Sequence, residues 1–224
     1  MELAEAMRTC PAMRYYKDDP IPHEVLYRAI DNARFGPQGG NRQPVRFLIV
    51  TDPEKKKQLA EWYMVPWSQY YEMATSTGEA LTAESGDTKA TKAMMSQKSV
   101  HAANDFAENI PNHPAIIIAC ADLSETHPTD TDLGRLSVVG GASIYPTVQN
   151  LALALRAEGV ATTWTTLLVM FEEQVKELLD IPDHLATACH LFAGYPRDGF
   201  PSTLTRLPVE EIAFMENFDT PLTV

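Results

Sequence analysis

The stretch GPQGGNRQPVRFLIVTDP, residues 36–53, decides how the rest of this chain is read. Its centre, RFLIVT (46–51), is a short continuous apolar run, the pattern of a buried strand. Ahead of it, PQGGNRQP (37–44) is rich in turn residues. The adjacent Gly39 and Gly40 let a backbone approach a ligand closely, and the Asn41 and Gln43 amides can meet the edge of a heterocycle. Gly36-Pro37 stops a helix predicted over about His23–Phe35, where Val25, Leu26, Ala29, Ile30 and Ala33 recur at helical spacing behind Pro20 and Pro22. Asp52-Pro53 then opens a second helix carrying Lys55, Lys56 and Lys57.

Working outward, the same grammar repeats. AIIIAC (115–120) is a second buried strand, and DLSETHPTDTDLG (122–134) reads as a surface loop. Val138–Glu158 is predicted as a helix that is apolar over most of its circumference, with Ile144, Val148, Leu151 and Leu155 on one stripe and Gly159 as its stop. VATTWTT (160–166) and TACHLFAGY (187–195) are predicted strands, EEQVKELLD (172–180) is a helix, and a short helix follows Pro208. Strands separated by helices predict an α+β (α/β layered) fold with a mixed central sheet flanked by helices, in one domain spanning 1–224. Residues 62–112 differ in character and read as a lid-like insertion. They hold an aromatic cluster, a polar stretch (ATSTGEALTAESGDTKATKA) and a helix-like segment.

Composition narrows the partners. The chain has 224 residues, 45% apolar and 21% charged, which suits a folded globular protein. Its net charge of -12 argues against a nucleic-acid surface and against an anionic membrane surface. A local anion site made by a few arginines stays open. Cys10, Cys120 and Cys189 make no C-x-x-C pair, so a disulfide framework is not expected. Cys120 and Cys189 lie in apolar runs, and Cys10 alone is near a basic stretch. With no signal-peptide h-region and no membrane-length apolar run, the expected compartment is the cytoplasm. The six histidines form no H-E-x-x-H and no helical pair with a carboxylate, so no metal site is expected. G-x-G-x-x-G and P-loop fingerprints are absent, and Ser143 in GGASIYP lacks a nucleophile elbow. Sparse reactive side chains are what a protein shows when a cofactor carries the chemistry.

Three segments stand out as ligand-holding. In RTCPAMRYY (8–16), Arg8 and Arg14 precede the predicted first helix, either as solvated charges or as a bidentate phosphate clamp. The second is the PQGGNRQP loop. The third is ATTWTT with the later TLTR (203–206). Taken in order, with the D-x-P-I-P step at 18–22, the GYP turn at 194–196 and the TRLPVEEI segment, they resemble the nitroreductase family of flavin enzymes over nearly the whole chain.

That resemblance implies a nitroreductase-like fold, an intertwined homodimer and FMN as cofactor, with NAD(P)H as reductant. By it, Arg14 is the basic residue on the ribityl-phosphate end, with Ala12 and Met13 beside it, Arg206 is the C-terminal basic residue on the phosphate, and the contact of the motif arginine absent here is either missing or supplied by Arg8. Pro37, Gln38, Gly39 and Asn41 match the loop one subunit lends to the other's flavin. Thr163, Trp164, Thr165 and Thr166 match the segment beside the isoalloxazine ring, with Thr165 as the N5 partner. Departures are visible. Cys10, Pro11 and Ala12 stand where the family usually has Arg-Arg-Ser, or one Arg, and Gln38 replaces the loop Ser. TTLLV replaces the P-x-E-G turn, which brings the chain nearer the branch with halotyrosine deiodinases.

The implied reaction is a ping-pong reduction of a planar aromatic, quinone or enone-type substrate. Reductive dehalogenation of a haloaromatic and a non-enzymatic flavin-binding or storage role are the alternatives. Tyr63, Trp67, Tyr70 and Tyr71 fall on one helical face and are expected either in the core or as a lid; Gly40, Trp67, Tyr70 and Tyr71 are the expected substrate contacts. Lys89, Lys92 and Lys98 are read as a solvated face or a positive edge for an acidic substrate.

Overall fold

The computed structural model describes residues 1–76 and 97–224, without the side chains of residues 76, 97 and 98. In it the apolar run after the glycine loop is β1 (Val45–Val50). Around it the chain forms α1 (Leu3–Arg8), α2 (His23–Ala33), α3 (Pro53–Ser76), α4 (Gln97–Glu108), β2 (Ala115–Asp122), α5 (Tyr145–Ala157), β3 (Ala161–Thr165), α6 (Glu172–Leu179) and β4 (Leu185–Gly194). The four strands make one sheet in the order β1-β2-β4-β3, every neighbour antiparallel. A single parallel bridge, Ala12 with Thr162, adds the N-terminal segment to the β3 edge.

The side-chain period of two divides β2 and β4 between two cores. Ile116, Ile118, Cys120 and Phe192 face Leu59, Tyr63 and Trp67 of α3, Phe106 of α4 and Val175 of α6. Ala115, Ile117, Ala119, Cys189 and Leu191 face Leu26, Ala29 and Ala33 of α2 and Val148, Leu151 and Leu155 of α5. Both central strands are therefore apolar at nearly every position, which is why they read as uninterrupted runs. Among the described residues no helix is long and apolar enough to cross a membrane.

The structure corrects several boundaries. Arg8 does not precede the first helix but closes α1, a short helix without a clear sequence signal. The helix predicted from Val138 begins only at Tyr145. Asp130 is the cause. It is buried in the loop read as surface, and its carboxylate accepts from Ser137 Oγ (2.6 Å), Val138 N (2.8 Å), Val139 N (3.4 Å) and Arg135 Nη1 (2.8 Å). These bonds, led by the one from Ser137, hold its carboxyl at about 2. Closed on one buried carboxylate by the Arg135 and Ser137 side chains and by two amides, the segment from Asp130 to Val139 is fixed as a loop, and the helix starts beyond it. The helix expected after Pro208 is one 3-10 turn, Val209–Glu211. Of the insertion, the described parts are the second half of α3 and α4; Lys89 and Lys92 lie outside the described residues, as does the Lys98 side chain.

Candidate active site

The N-terminal segment is laid along the sheet edge by long-range backbone bonds. Met13 N donates to Thr162 O (2.9 Å) and Lys17 N to Tyr195 O (2.8 Å), while Thr163 Oγ1 donates to Met13 O. Tyr16 closes the contact from inside, its hydroxyl donating to Phe192 O (3.0 Å); burial pushes that phenol well above its ordinary value. This placement carries Arg14 to the end of β3. There it lines a cavity of about 240 Å³ with Thr165 and Leu167, Tyr63, Trp67 and Tyr70 of α3, and Ser99, Val100 and Ala103 of α4.

One wall of that cavity is rigid. Trp67 is buried, its indole N–H bonded to Asn104 Oδ1 (3.0 Å), and its ring packs against Tyr63, Tyr70 and Tyr71 at 5.4–6.4 Å. Both sequence readings of the aromatic face thus hold together: Tyr63 and Trp67 belong to the core, and Trp67 and Tyr70 also face the cavity. Tyr71 packs behind Trp67 and meets His101 Nδ1 through its hydroxyl (3.3 Å). Arg14 carries no hydrogen bond or ion pair among the described residues. Burial pushes the Tyr63 phenol up, opposed by Thr165 and by the Arg14 charge. Thr165 Oγ1 accepts from Leu167 N (3.3 Å), and the Thr165 hydroxyl is within hydrogen-bonding reach of the Tyr63 phenol.

The alternation of β3 splits the four residues taken together from sequence. Thr163 and Thr165 lie on the Phe192–His190 side with Arg14. Trp164 turns to the α5 side, where it is 45% exposed, meets Tyr145 edge-on at 5.4 Å and borders a second cavity with Cys10, Pro11 and Ala12. Thr166, past the strand, borders a third groove with Gly140, Gly141 and Tyr145.

The glycine loop is not at the Arg14 cavity. Pro37, Gln38, Gly39, Gly40 and Asn41 sit over the start of α5, with Gly39 N donating to Ser143 Oγ (3.0 Å). Gly40, Asn41 and Gln43 all have positive φ (62°, 53° and 55°), and two of these are not glycine. Strain of that kind persists only where the surroundings hold it. Arg46 Nη1 donates to Gln43 O (2.7 Å), and the Gln38 amide donates to Gly36 O (3.3 Å). Arg8 and Arg206 are exposed and do not line the cavity; among the described residues Arg206 bonds only its neighbour Thr205 O (2.8 Å). Asn104, Ser143 and Asp130 carried no sequence signal, because each acts by a contact at long range or across a loop.

Comparison with known proteins follows the same elements. The nitroreductase family model matches residues 6–195. An NADH dehydrogenase of Thermus thermophilus is 27% identical over 202 residues, covering 90% of this chain and 89% of its own. A crystal structure of oxidized iodotyrosine deiodinase bound to FMN and 3-iodo-L-tyrosine has a TM-score of 0.69 at 21% identity, over 96% of this chain and 99% of that one. NADPH:FMN oxidoreductase from Vibrio harveyi, complexed with NAD+, has a TM-score of 0.65 at 18% identity, over 96% and 77%. The two structures show a shared fold. The family match runs from α1 to the end of β4 and takes in both the N-terminal and the β3 walls of the cavity: this chain belongs to the nitroreductase family.

Proposed function

We propose that the chain is an FMN-dependent oxidoreductase that uses NAD(P)H to reduce a planar aromatic, quinone or enone-type substrate, and that it works as a homodimer. One observation carries the reading: Arg14, a cation without a hydrogen bond or ion pair among the described residues, and the Thr165 hydroxyl meet a wall of aromatic rings in one cavity.

The residues fit a flavin in kind. Aromatic and apolar groups suit a flat ring system, and an unpaired guanidinium suits electron-rich carbonyl or phosphate oxygens. The cavity of about 240 Å³ is smaller than the roughly 300–1,000 Å³ of pockets that enclose a small ligand, so one protomer supplies only part of the walls. The strained glycine loop, held open by Ser143 away from its own cavity, is the natural remainder, contributed by a second copy.

Bound FMN would supply hydride acceptance and donation at N5. Thr165 would turn its hydroxyl hydrogen from Tyr63 to N5, its oxygen being oriented by Leu167 N–H. Arg14 would hold negative charge at the pyrimidine or ribityl end. Trp67, pinned by Asn104, would keep water out and set the plane of stacking. The cavity would receive the nicotinamide first and the oxidising substrate second, which needs no separate dinucleotide domain.

The test is anaerobic. Purified protein should be yellow or should take up added FMN, bleach with NADH or NADPH, and regain its colour with one member of a panel of nitroaromatics, quinones, enones and haloaromatics. Halide release on reoxidation would assign the dehalogenase reading. Protein that takes up no FMN would overturn the proposal, and a yellow protein that neither nicotinamide bleaches would leave flavin binding without this reaction.

A further inference from the structure

The aromatic wall of the Arg14 cavity also holds a proton donor. Tyr63 is 4% exposed, and its ring is fixed by Trp67, Phe106 and Phe192 at 5.9–6.4 Å, the last two edge-on. The hydroxyl is not consumed in that packing. Its oxygen is not among the buried polar atoms left without a partner. It comes within hydrogen-bonding reach of the Thr165 hydroxyl and into the field of the Arg14 guanidinium, and all three residues line the cavity. The ring is therefore core, and the hydroxyl ends at the β3 corner of the site.

Two opposed influences at that corner suit a group that gives a proton away. Burial pushes the phenol above its ordinary value, so it carries its proton at neutral pH. The Thr165 hydroxyl and the Arg14 charge pull the other way, and so ease the charge left behind once the proton has gone. The rest of the lining narrows what can accept that proton. Among the described residues the cavity presents no carboxylate and no lysine, and Trp67, Val100, Ala103 and Leu167 give it apolar walls. Donors set between such walls suit a flat molecule that accepts through an oxygen, as a conjugated carbonyl does.

We propose that Tyr63 is the catalytic acid of the half-reaction that reoxidises the cofactor, giving its hydroxyl proton to the carbonyl oxygen of an enone or enal. The proposal rests on the flavin reading above, which places Thr165 at N5 and so brings the neighbouring Tyr63 hydroxyl to the reacting end of the substrate. A hydride from reduced FMN adds to the β-carbon, which reduces the substrate and oxidises the cofactor. The electron pair of the C=C bond shifts toward the carbonyl, whose π pair moves onto oxygen. There the new O–H bond forms as the Tyr63 O–H bond breaks. Water returns a proton to the phenolate, and the released enol rearranges to the saturated carbonyl.

Tyr63→Phe, in the full FMN-loaded chain, tests this, because it keeps the ring and deletes only the donor. Anaerobic stopped-flow should show bleaching by NADH or NADPH within about threefold of the wild type. Reoxidation by ferricyanide, which takes electrons and needs no proton, should be equally unchanged. Reoxidation by 2-cyclohexen-1-one or cinnamaldehyde should slow by roughly 100–10,000-fold, the scale of a lost general acid. A readout without turnover is the binding of 4-nitrophenolate to the oxidised protein, followed by its own absorbance. Its affinity should fall about tenfold or more in Tyr63→Phe, the scale of a hydrogen bond to a charged oxygen. Equal affinities in the two proteins, or no binding to the wild type, would overturn the proposal. So would enone and ferricyanide rates that fall alike, a wild type that ferricyanide reoxidises and neither carbonyl does, or a Tyr63→Phe protein that no longer takes up FMN, each of which would make the hydroxyl structural. A wild type that cycles with the carbonyls, beside a Tyr63→Phe protein that cycles as fast, removes Tyr63 alone. A wild type that takes up no FMN removes the flavin reading and this proposal with it.

Discussion

His113 and His190 should make this protein unusually sensitive to mild acid. They are 1% and 0% exposed, and none of their four ring nitrogens has a partner among the described residues. Burial, with the nearby Lys56 charge, pushes His113 down to about 3, and burial alone pushes His190 down to about 4. In the unfolded chain both titrate near 6.5. The native state therefore holds them neutral. Their contribution is complete above about pH 6.5 and is lost as pH falls toward the folded values. About pH 5 lies roughly 1.5 pH units below the unfolded value, so each unfolded histidine is protonated there while the folded one is not. At about 1.4 kcal/mol per unit this is about 2 kcal/mol each, or about 4 kcal/mol for the pair. The figure depends little on the folded values so long as they lie well below 5, and it is a large part of a typical 5–15 kcal/mol. Urea unfolding at about pH 7.5 and about pH 5, at one protein concentration, measures the loss in the wild type and in the double variant His113→Phe, His190→Leu. The carboxylates titrate alike in both, so the variant should lose about 4 kcal/mol less. If the two proteins lose the same amount, these histidines are not held neutral and the reasoning fails.

Other expectations follow from single residues. The phosphate role expected for Arg206 from the family resemblance, not from a contact among the described residues, predicts that Arg206→Ala weakens FMN binding by at least about tenfold and Arg8→Ala by less than about threefold, read by titrating apo-protein. Asn104→Leu removes the acceptor of the buried Trp67 indole N–H and should cost about 1–3 kcal/mol in urea unfolding. Gly194→Ala would set a Cβ 2.7 Å from Tyr16 Cβ and 3.0 Å from Pro114 Cδ, which should cost about 1–3 kcal/mol and lower the melting midpoint.

Much of the fold was legible because β2 and β4 are buried on both faces, β1 is an apolar run behind a turn-rich loop and α2 has a clean stripe, signals that sit in consecutive residues. The start of α5 was not, because the signal that delays it is a carboxylate several residues upstream. The site was half legible. Arg14, Thr165, Trp67 and Tyr70 were named and do line one cavity. Trp164 was grouped with them by adjacency in sequence, and strand alternation sends it to the opposite face.

The bond between Thr163 and Met13 spans 150 residues, and every bond that seats Arg14 is of that kind. Closing a loop of that length costs roughly 4 kcal/mol in chain entropy before any contact is made. The cavity is therefore a late product of folding. A growing chain has no Arg14 wall until β3 has been synthesised and has paired with β4, so cofactor loading must wait for a nearly complete protein. A nick or permutation that weakens the hold on the first seventeen residues would empty the site while leaving the central strands paired.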